Sequence, residues 1–280
     1  MKVGIVGQGF VGSAIREGLK SFHEVLAYDK ETSRSMATSL KQVVENSEII
    51  FVCVPTPMRF SGECDTRILE DVILDVDSIC KNLSGSKKTV VIKSTVPPGT
   101  TQKLDEKYKS VNIAFSPEFL TEANSFNDFK NQNRIIIGGS GARKVKQMFR
   151  KPFPDIPIVI TKSETAEMVK YFINCFLSAK VTFANQMYDI CETSGIDYDK
   201  VCEYALLDKR IGSSHLAVPG PDGGRGFGGH CFPKDMAAMV AYSEEFDTNS
   251  DFLKQIIKSN NNYREHKDWL SMKGRAVSED

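Results

Sequence analysis

The chain has little that would mark it as a membrane, secreted or nucleic-acid-binding protein. Its 280 residues contain one tryptophan and no apolar run that approaches the length of a membrane span. The first seven residues hold too few apolar side chains for a signal peptide. Lysine plus arginine and aspartate plus glutamate both number 36, so no net charge attracts nucleic acid or a membrane surface. We therefore expect a cytoplasmic protein that recognises its partners by local chemistry.

The cysteines do not form the pattern of a disulfide framework or a zinc site. There are seven, an odd number, and no two are spaced as C-x-x-C. Small secreted domains use paired cysteines, and structural zinc sites use closely spaced ones. We expect free thiols in a reducing compartment and no metal.

A glycine-rich turn near the N-terminus has the pattern of a dinucleotide site. Residues 2–7 read as a short buried strand, and residues 13–19 as a helix, with G-x-G-x-x-G between them. In this context the glycines allow a tight turn, a close approach to a pyrophosphate and packing of the helix on the strand. The predicted cofactor-binding residues of the turn are Gly7, Gln8, Gly9, Phe10, Val11 and Gly12.

A carboxylate follows the second predicted strand. Residues 24–28 read as that strand, and Asp29 stands at the distance where an acidic side chain binds the adenosine ribose diol. Asp29 would repel a 2′-phosphate, so it favours NAD over NADP. Two nearby cations, Lys30 and Arg34, work against that preference.

Helical and strand patterns alternate up to about residue 160. The strands are continuous apolar runs without a period of two, which indicates a parallel sheet covered by helices on both faces. Ligands bind such sheets at the loops that follow the strands, and two of these loops are residues 54–57 and 93–99. The predicted helices are 39–46, 65–82 and 141–150, and the predicted strands are 48–54, 89–92, 134–137 and 156–160.

Two glutamates, Glu118 and Glu122, follow the strand that begins near residue 112. Surface glutamates four residues apart are usually only solvated. On the ligand edge of a sheet, however, they are candidates for a general acid/base pair with raised pKa values.

One long helix is predicted from residue 161 to about 194, on the order of 45 Å in length. Such a helix is typical of a domain bridge or a subunit interface. Lys170 and Asn174 are four residues apart, so they lie on one helix face. A lysine on a helix is most often a surface group, but Asn174 interrupts an apolar run.

A glycine-rich loop, residues 219–230, delivers Cys231 to the start of another predicted helix. The helix dipole and the cation of Lys234 favour the thiolate form there, and the thiolate is the nucleophile. Pro233 suits the first turn of that helix. The alternative is an inert, buried cysteine beside a mobile loop.

The decapeptide from Gly226 to Asp235 resembles the catalytic cysteine motif of the UDP-glucose/GDP-mannose dehydrogenase family. The resemblance implies oxidation of the C6 alcohol of a nucleotide sugar, UDP-glucose above all, to a carboxylate, with two NAD and a thioester on the cysteine. The residues 116–122 also match the family's N-P-E-F-L-x-E pattern, except that Ser116 replaces its asparagine. The catalytic residues so implied are Thr95, Glu118, Glu122, Lys170, Asn174, Cys231 and Asp235.

The same resemblance implies the ligand-binding residues. Beyond the glycine turn, those for the cofactor are Asp29, Arg34, Val54, Pro55, Thr56, Pro57, Ser94, Thr95, Glu122 and Lys234. Those for the substrate are Glu118, Phe119, Leu120, Lys170, Asn174, Arg210, Arg225, Phe227, Gly228 and Cys231. The arginine of the R-I-G tripeptide, Arg210, is expected to reach the site of a second subunit.

We therefore expect an α/β protein with a Rossmann-like, doubly wound parallel sheet and an all-helical middle domain joined by a long helix. The expected segments are 1–161 for NAD binding, 162–246 for catalysis and dimerisation, and 247–280 for a terminal helix and tail. The resemblance covers about residues 1–270 and does not extend to the family's third domain, so a short form is expected. The alternatives are a two-electron β-hydroxyacid dehydrogenase, which shares the lysine and asparagine but needs no cysteine, and a non-catalytic NAD-binding protein.

Overall fold

A computed structural model describes residues 1–279. The chain forms two compact units. The first contains Met1–Thr56 and Thr66–Lys170, and the second contains Pro57–Asp65 and the residues from Tyr171 onward. The expected division into segments 1–161, 162–246 and 247–280 stays a prediction.

The first unit is built on a seven-stranded sheet in the order β2-β1-β3-β4-β5-β6-β7. All neighbouring strands are parallel except β5 and β6. The strands are β1 (Lys2–Val6), β2 (Glu24–Tyr28), β3 (Ile49–Val52), β4 (Lys88–Ile92), β5 (Val111–Phe115), β6 (Ile135–Gly139) and β7 (Ile158–Thr161). The Rossmann-like α/β class is thereby confirmed.

The antiparallel pair departs from the parallel sheet that the sequence predicts. Alternation of helix and strand gives the order of the elements, but it does not give the direction of a strand near the sheet edge. At the β5–β6 pair the backbones approach closely beside Gly139, where an added Cβ would lie 2.5 Å from the carbonyl oxygen of Ile113.

Apolar clusters cover the sheet on both faces, as continuous apolar strands require. All four residues of β3 are fully buried. Phe51 packs in one cluster with Phe149, whereas its neighbours Ile50 and Val52 pack in the other with Phe115. The helices of this unit are α1 (Phe10–Leu19), α2 (Leu40–Asn46), α3 (Arg67–Cys80), α4 (Thr100–Lys107), α5 (Ser125–Lys130) and α6 (Ala142–Arg150).

Helix α7 (Ser163–Ser194) has 32 residues, which corresponds to about 48 Å. It confirms the long helix of the sequence prediction, although Thr161 belongs to β7 and the helix begins at Ser163. The helix starts in the first unit and continues through the second.

The second unit is helical and has smaller cores. Beyond α7 it contains α8 (Tyr198–Ala205), α9 (Phe232–Glu245) and α10 (Asp251–Tyr263), followed by a 3-10 turn, Asp268–Ser271. The terminal helix expected within residues 247–280 is α10. All seven cysteines are free thiols. Within residues 1–279, no helix is long and apolar enough to cross a bilayer.

Candidate active site

The turn after β1 has the shape that a dinucleotide site requires. Gly7 has φ of +90°, and a Cβ there would lie 2.6 Å from the carbonyl oxygen of Cys53. A Cβ on Gly12 would lie 1.9 Å from the carbonyl oxygen of Gly7, so this glycine lets α1 pack on the turn. By contrast, a Cβ on Gly9, the N-cap of α1, would have no described neighbour within 4 Å. The turn is closed on two sides and open at the helix N-terminus.

These residues fit NAD. The open space at Gly9 lies where a pyrophosphate meets the helix N–H groups. Asp29 follows β2, and its carboxylate accepts hydrogen bonds from the backbone N–H groups of Gln8 at 2.6 Å and Glu31 at 2.8 Å. These bonds fix the carboxylate at the strand end and leave lone pairs for a ribose diol. Arg34 is exposed in a 3-10 turn, Thr32–Arg34.

Side-chain hydrogen bonds join the two loops at the ends of β3 and β4. The hydroxyl of Ser94 donates to the carbonyl oxygen of Val54 at 2.6 Å. The hydroxyl of Thr56 donates to the carbonyl oxygen of Thr95 at 2.7 Å. The sequence-predicted cofactor residues of both loops are therefore held together, with Pro55 exposed between them.

A buried ion pair follows β5. The ammonium of Lys170 donates to Glu118 Oε1 at 2.9 Å and to the Glu118 carbonyl oxygen at 2.8 Å. Glu118 Oε2 accepts from the backbone N–H of Leu120 at 2.7 Å. The ring of Phe119 lies 5.7 Å from the Lys170 ammonium. The structure thus brings four predicted substrate residues together.

The ionisation of Glu118 is opposite to the expectation. Burial raises the pKa of this carboxyl, but the charge and hydrogen bond of Lys170, the Leu120 N–H and the charge of Lys93 outweigh burial and hold the pKa below its ordinary value. The prediction of a raised pKa was wrong for Glu118. It is therefore an ionised carboxylate at neutral pH. Glu122, its proposed companion, is exposed in the following turn.

The second unit places Cys231 at the N-cap of α9. Three residues on, the Lys234 ammonium bonds Asp235 Oδ1 at 2.5 Å. Burial lowers the pKa of Lys234, but the charge and hydrogen bond of Asp235 outweigh burial and raise the pKa above its ordinary value, so Lys234 stays charged. A cation and a helix N-terminus beside the sulfur both favour the thiolate.

Asp235 is buried and fully engaged. Its other oxygen, Oδ2, accepts a hydrogen bond of 2.5 Å from the amide of Asn174 on α7. A buried carboxylate is tolerated when it is paired and hydrogen-bonded. Asn174, the polar residue that interrupts the apolar run of α7, therefore holds the Asp235 carboxylate, which in turn neutralises the charge of Lys234.

Polar side chains of α7 and α10 hold the glycine loop. Arg225 donates to Asn185 Oδ1 at 3.2 Å. Asn260 binds both backbone groups of Phe227, accepting from its N–H at 2.7 Å and donating to its carbonyl oxygen at 2.9 Å. A Cβ on Gly228 would lie 2.4 Å from an Arg264 nitrogen.

Sequence reasoning missed three of the residues that shape this loop, namely Asn185, Asn260 and Arg264. These residues are too far from the loop in the sequence to form a motif with it; Asn260, for example, lies 33 positions after Phe227. Arg210 is a separate case, since its side chain is 89% exposed and pairs with Asp208 rather than with other predicted site residues.

Comparison with known proteins identifies the family of the chain. The NAD binding domain of the UDP-glucose/GDP-mannose dehydrogenase family matches residues 20–153, and the central domain of the same family matches residues 164–262. The chain is 32% identical over 305 residues to a UDP-glucose 6-dehydrogenase of Rhizobium meliloti, covering 94% of this chain and 68% of that protein. The chain belongs to the UDP-glucose/GDP-mannose dehydrogenase family.

Two further relatives support the assignment. A UDP-glucose 6-dehydrogenase of Rickettsia bellii is 38% identical over 226 residues, which cover 78% of this chain and 50% of that protein. The solved structure of a UDP-glucose dehydrogenase from Pyrobaculum islandicum superimposes with a TM-score of 0.84 at 29% identity, over 93% of this chain and 68% of that one. The chain spans about half to two thirds of the length of its curated relatives. As the family's domain match shows, the first unit binds NAD.

The second and third glycines of the turn after β1 give a matched pair of variants. Gly9→Ala fills open space, so we expect the melting temperature to stay within a few degrees, while the dissociation constant of NAD rises at least about tenfold, or about 1.4 kcal/mol. Gly12→Ala meets the Gly7 carbonyl and should instead destabilise the fold by about 1 to 3 kcal/mol. Calorimetry of unfolding and of NAD binding checks both, and a Gly9→Ala protein with wild-type NAD affinity would contradict the placement of the pyrophosphate.

Proposed function

We propose that this chain catalyses the NAD-dependent four-electron oxidation of a nucleotide sugar at C6, with UDP-glucose as substrate and UDP-glucuronate as product. The observation that carries the proposal is the position of Cys231 at the α9 N-cap beside the charged Lys234. A simple alcohol dehydrogenase has no need of a nucleophile there. The family and the names of the relatives support a nucleotide-sugar substrate.

The first oxidation converts the C6 alcohol to an aldehyde. NAD, when bound, accepts the hydride from C6. The hydroxyl proton leaves to water, because the Lys170 ammonium already carries its proton and acts as a donor. The buried Lys170 ammonium and the Asn174 amide stabilise the negative charge that develops on the C6 oxygen. Each of these groups is held by an acid, Glu118 and Asp235 respectively.

The second oxidation passes through a covalent intermediate. The Cys231 thiolate adds to the aldehyde carbon and forms a thiohemiacetal, which loses a hydride to a second NAD and becomes a thioester. Water then attacks the thioester, the C–S bond breaks, and the carboxylate and the free thiol are released. Glu118 is the base that activates this water, because its lowered pKa keeps it ionised at neutral pH, with Glu122 as the second candidate.

The two-electron alternative uses Lys170 and Asn174 alone. A hydroxyacid that is oxidised only once, to a ketone or an aldehyde, forms no thioester. In that reaction the cysteine at the N-cap of α9 and the charged lysine beside it would take no part in the chemistry. The site geometry therefore favours the four-electron reaction over this alternative and over a non-catalytic role.

We also propose a two-fold symmetric homodimer formed through α7. Three phenylalanines of that helix, Phe172, Phe176 and Phe183, are exposed by 70%, 62% and 60% in the single chain. Their spacings of four and seven residues place them along one face. A second copy of the helix would cover this apolar face, and Arg210 would then be available to the second subunit's substrate. Seven free thiols support a reducing compartment, the cytoplasm.

Cys231→Ser tests the covalent step. A hydroxyl at its ordinary pKa forms no comparable intermediate, so sugar-acid production should fall by at least about a thousandfold while NAD binding is unchanged. Product mass and NAD calorimetry measure the two effects. Cys202→Ser, at a half-buried free thiol on α8, is the matched control and should keep full activity. Acid formation by Cys231→Ser at near wild-type rate would exclude the thioester.

Phe176→Lys tests the dimer. A charge in the centre of an apolar interface should weaken association by about a hundredfold or more, because the lysine must lose its hydration. Sedimentation at micromolar concentration should show a dimer for the wild type and a monomer for this variant. Phe252→Lys, which changes an equally exposed phenylalanine of α10, should remain dimeric. A monomeric wild type would remove the proposal.

A further inference from the structure

Lys93 is a buried cation that the proposed mechanism does not use. It follows β4 directly, at the carboxyl end of the strand where ligands bind in such sheets. Only 7% of its surface is exposed, and its ammonium donates to the carbonyl oxygen of Pro117 at 2.9 Å. Pro117 immediately precedes Glu118, so Lys93 also holds the loop that carries the active-site carboxylate.

Lys93 makes the active-site cluster positively charged. The cluster holds two buried ammonium groups, Lys93 and Lys170, but one carboxylate, Glu118, which already forms its ion pair with Lys170. Two buried ammonium groups that share one carboxylate leave part of their charge uncompensated, which is unfavourable. An apolar side chain of similar length would fill this place without that penalty. The charge of Lys93 therefore points to an electrostatic purpose.

The groups around Lys93 define when it carries this charge. Burial lowers its pKa to about 8, against the attraction of the Glu118 carboxylate, and the charge of the nearby Lys170 lowers it further. Cys53, at the end of β3, has its own pKa raised to about 12 by burial and stays neutral. Glu118 is ionised, as its lowered pKa requires. Lys93 thus changes charge just above neutral pH, where Glu118 is ionised and Cys53 is neutral.

We propose that Lys93 is a positioning residue whose buried charge keeps the Lys93, Glu118 and Lys170 cluster cationic and thereby sets the alkaline limit of the reaction. The inference rests on the proposed function, because the charge acts through Lys170 on the oxyanion at C6. When Lys93 loses its proton, the net charge of the cluster falls from +1 to zero. The negative charge that develops on the C6 oxygen is then stabilised less. The pKa of Glu118 also rises, because the charge of Lys93 no longer lowers it.

The pH profile of kcat tests this inference in three proteins. For the wild type, kcat should fall as pH rises through about 8. Lys93→Arg keeps its charge, so its alkaline limb should move up by at least one pH unit. Lys93→Met is neutral at every pH, and should lower kcat about 10- to 100-fold with little change in the KM for NAD and with no limb near pH 8. Lys87→Met, an exposed neighbour outside β4, should match the wild type.

A second measurement does not depend on turnover. In protein labelled with 13C at the lysine Cε, the Lys93 signal is the one that disappears in Lys93→Arg, and it should titrate near pH 8. A signal that stays charged up to pH 10, or a Lys93→Met enzyme with the wild-type kcat and alkaline limb, would overturn the inference. If the wild type oxidises no nucleotide sugar, the proposed function fails on its own, and the titration alone then supports or overturns the charge change at Lys93.

Discussion

The ligand edge of the first unit depends on the buried ion pair between Lys170 and Glu118. Removal of one partner from such a pair leaves an uncompensated charge and typically costs about 3 to 5 kcal/mol. The pair joins the loop after β5 to the first turns of α7. One turn earlier on α7, the buried carboxylate of Glu167 accepts hydrogen bonds from the backbone N–H groups of Gly99, at 2.6 Å, and Thr101, at 2.8 Å. The start of α7 thus holds two of the ligand-edge loops through two buried acids.

The same pairing decides which protonation states are present at neutral pH. The proposed reaction needs a carboxylate base, a charged oxyanion donor and a thiolate together. Glu118 remains ionised because Lys170 and Lys93 outweigh its burial. In the second unit, Asp235 keeps Lys234 charged beside Cys231. Each unit therefore pairs a buried acid directly with a buried lysine, Glu118 with Lys170 and Asp235 with Lys234.

Local patterns were sufficient for features that depend on neighbouring residues. The glycine turn, the strand that precedes Asp29 and the start of α9 beside Cys231 all follow from spacing and residue type, and the structure has them where the sequence predicts. Helix α4 was missed because its eight residues are mostly polar and only Thr101 and Leu104 are buried. The direction of β6 was missed because a connecting helix does not specify it.

Features that depend on distant residues were beyond a local reading. The ionisation of Glu118 was predicted in the wrong direction, since its partner Lys170 lies 52 residues away in the chain. The buried state of Lys93 and the hold of Asn260 on the glycine loop likewise arise from tertiary packing. A motif identifies candidate residues for the chemistry, but the pKa values of those residues depend on contacts with residues outside the motif.

The central claim is that one catalytic centre performs two successive oxidations through Cys231. The most direct measurement is the ratio of NADH formed to sugar acid formed when UDP-glucose is supplied in limiting amount. The account predicts two NADH for each molecule of UDP-glucuronate, with no aldehyde released into solution. One NADH for each oxidised product would contradict it, because a single hydride transfer needs neither the thioester nor the cysteine.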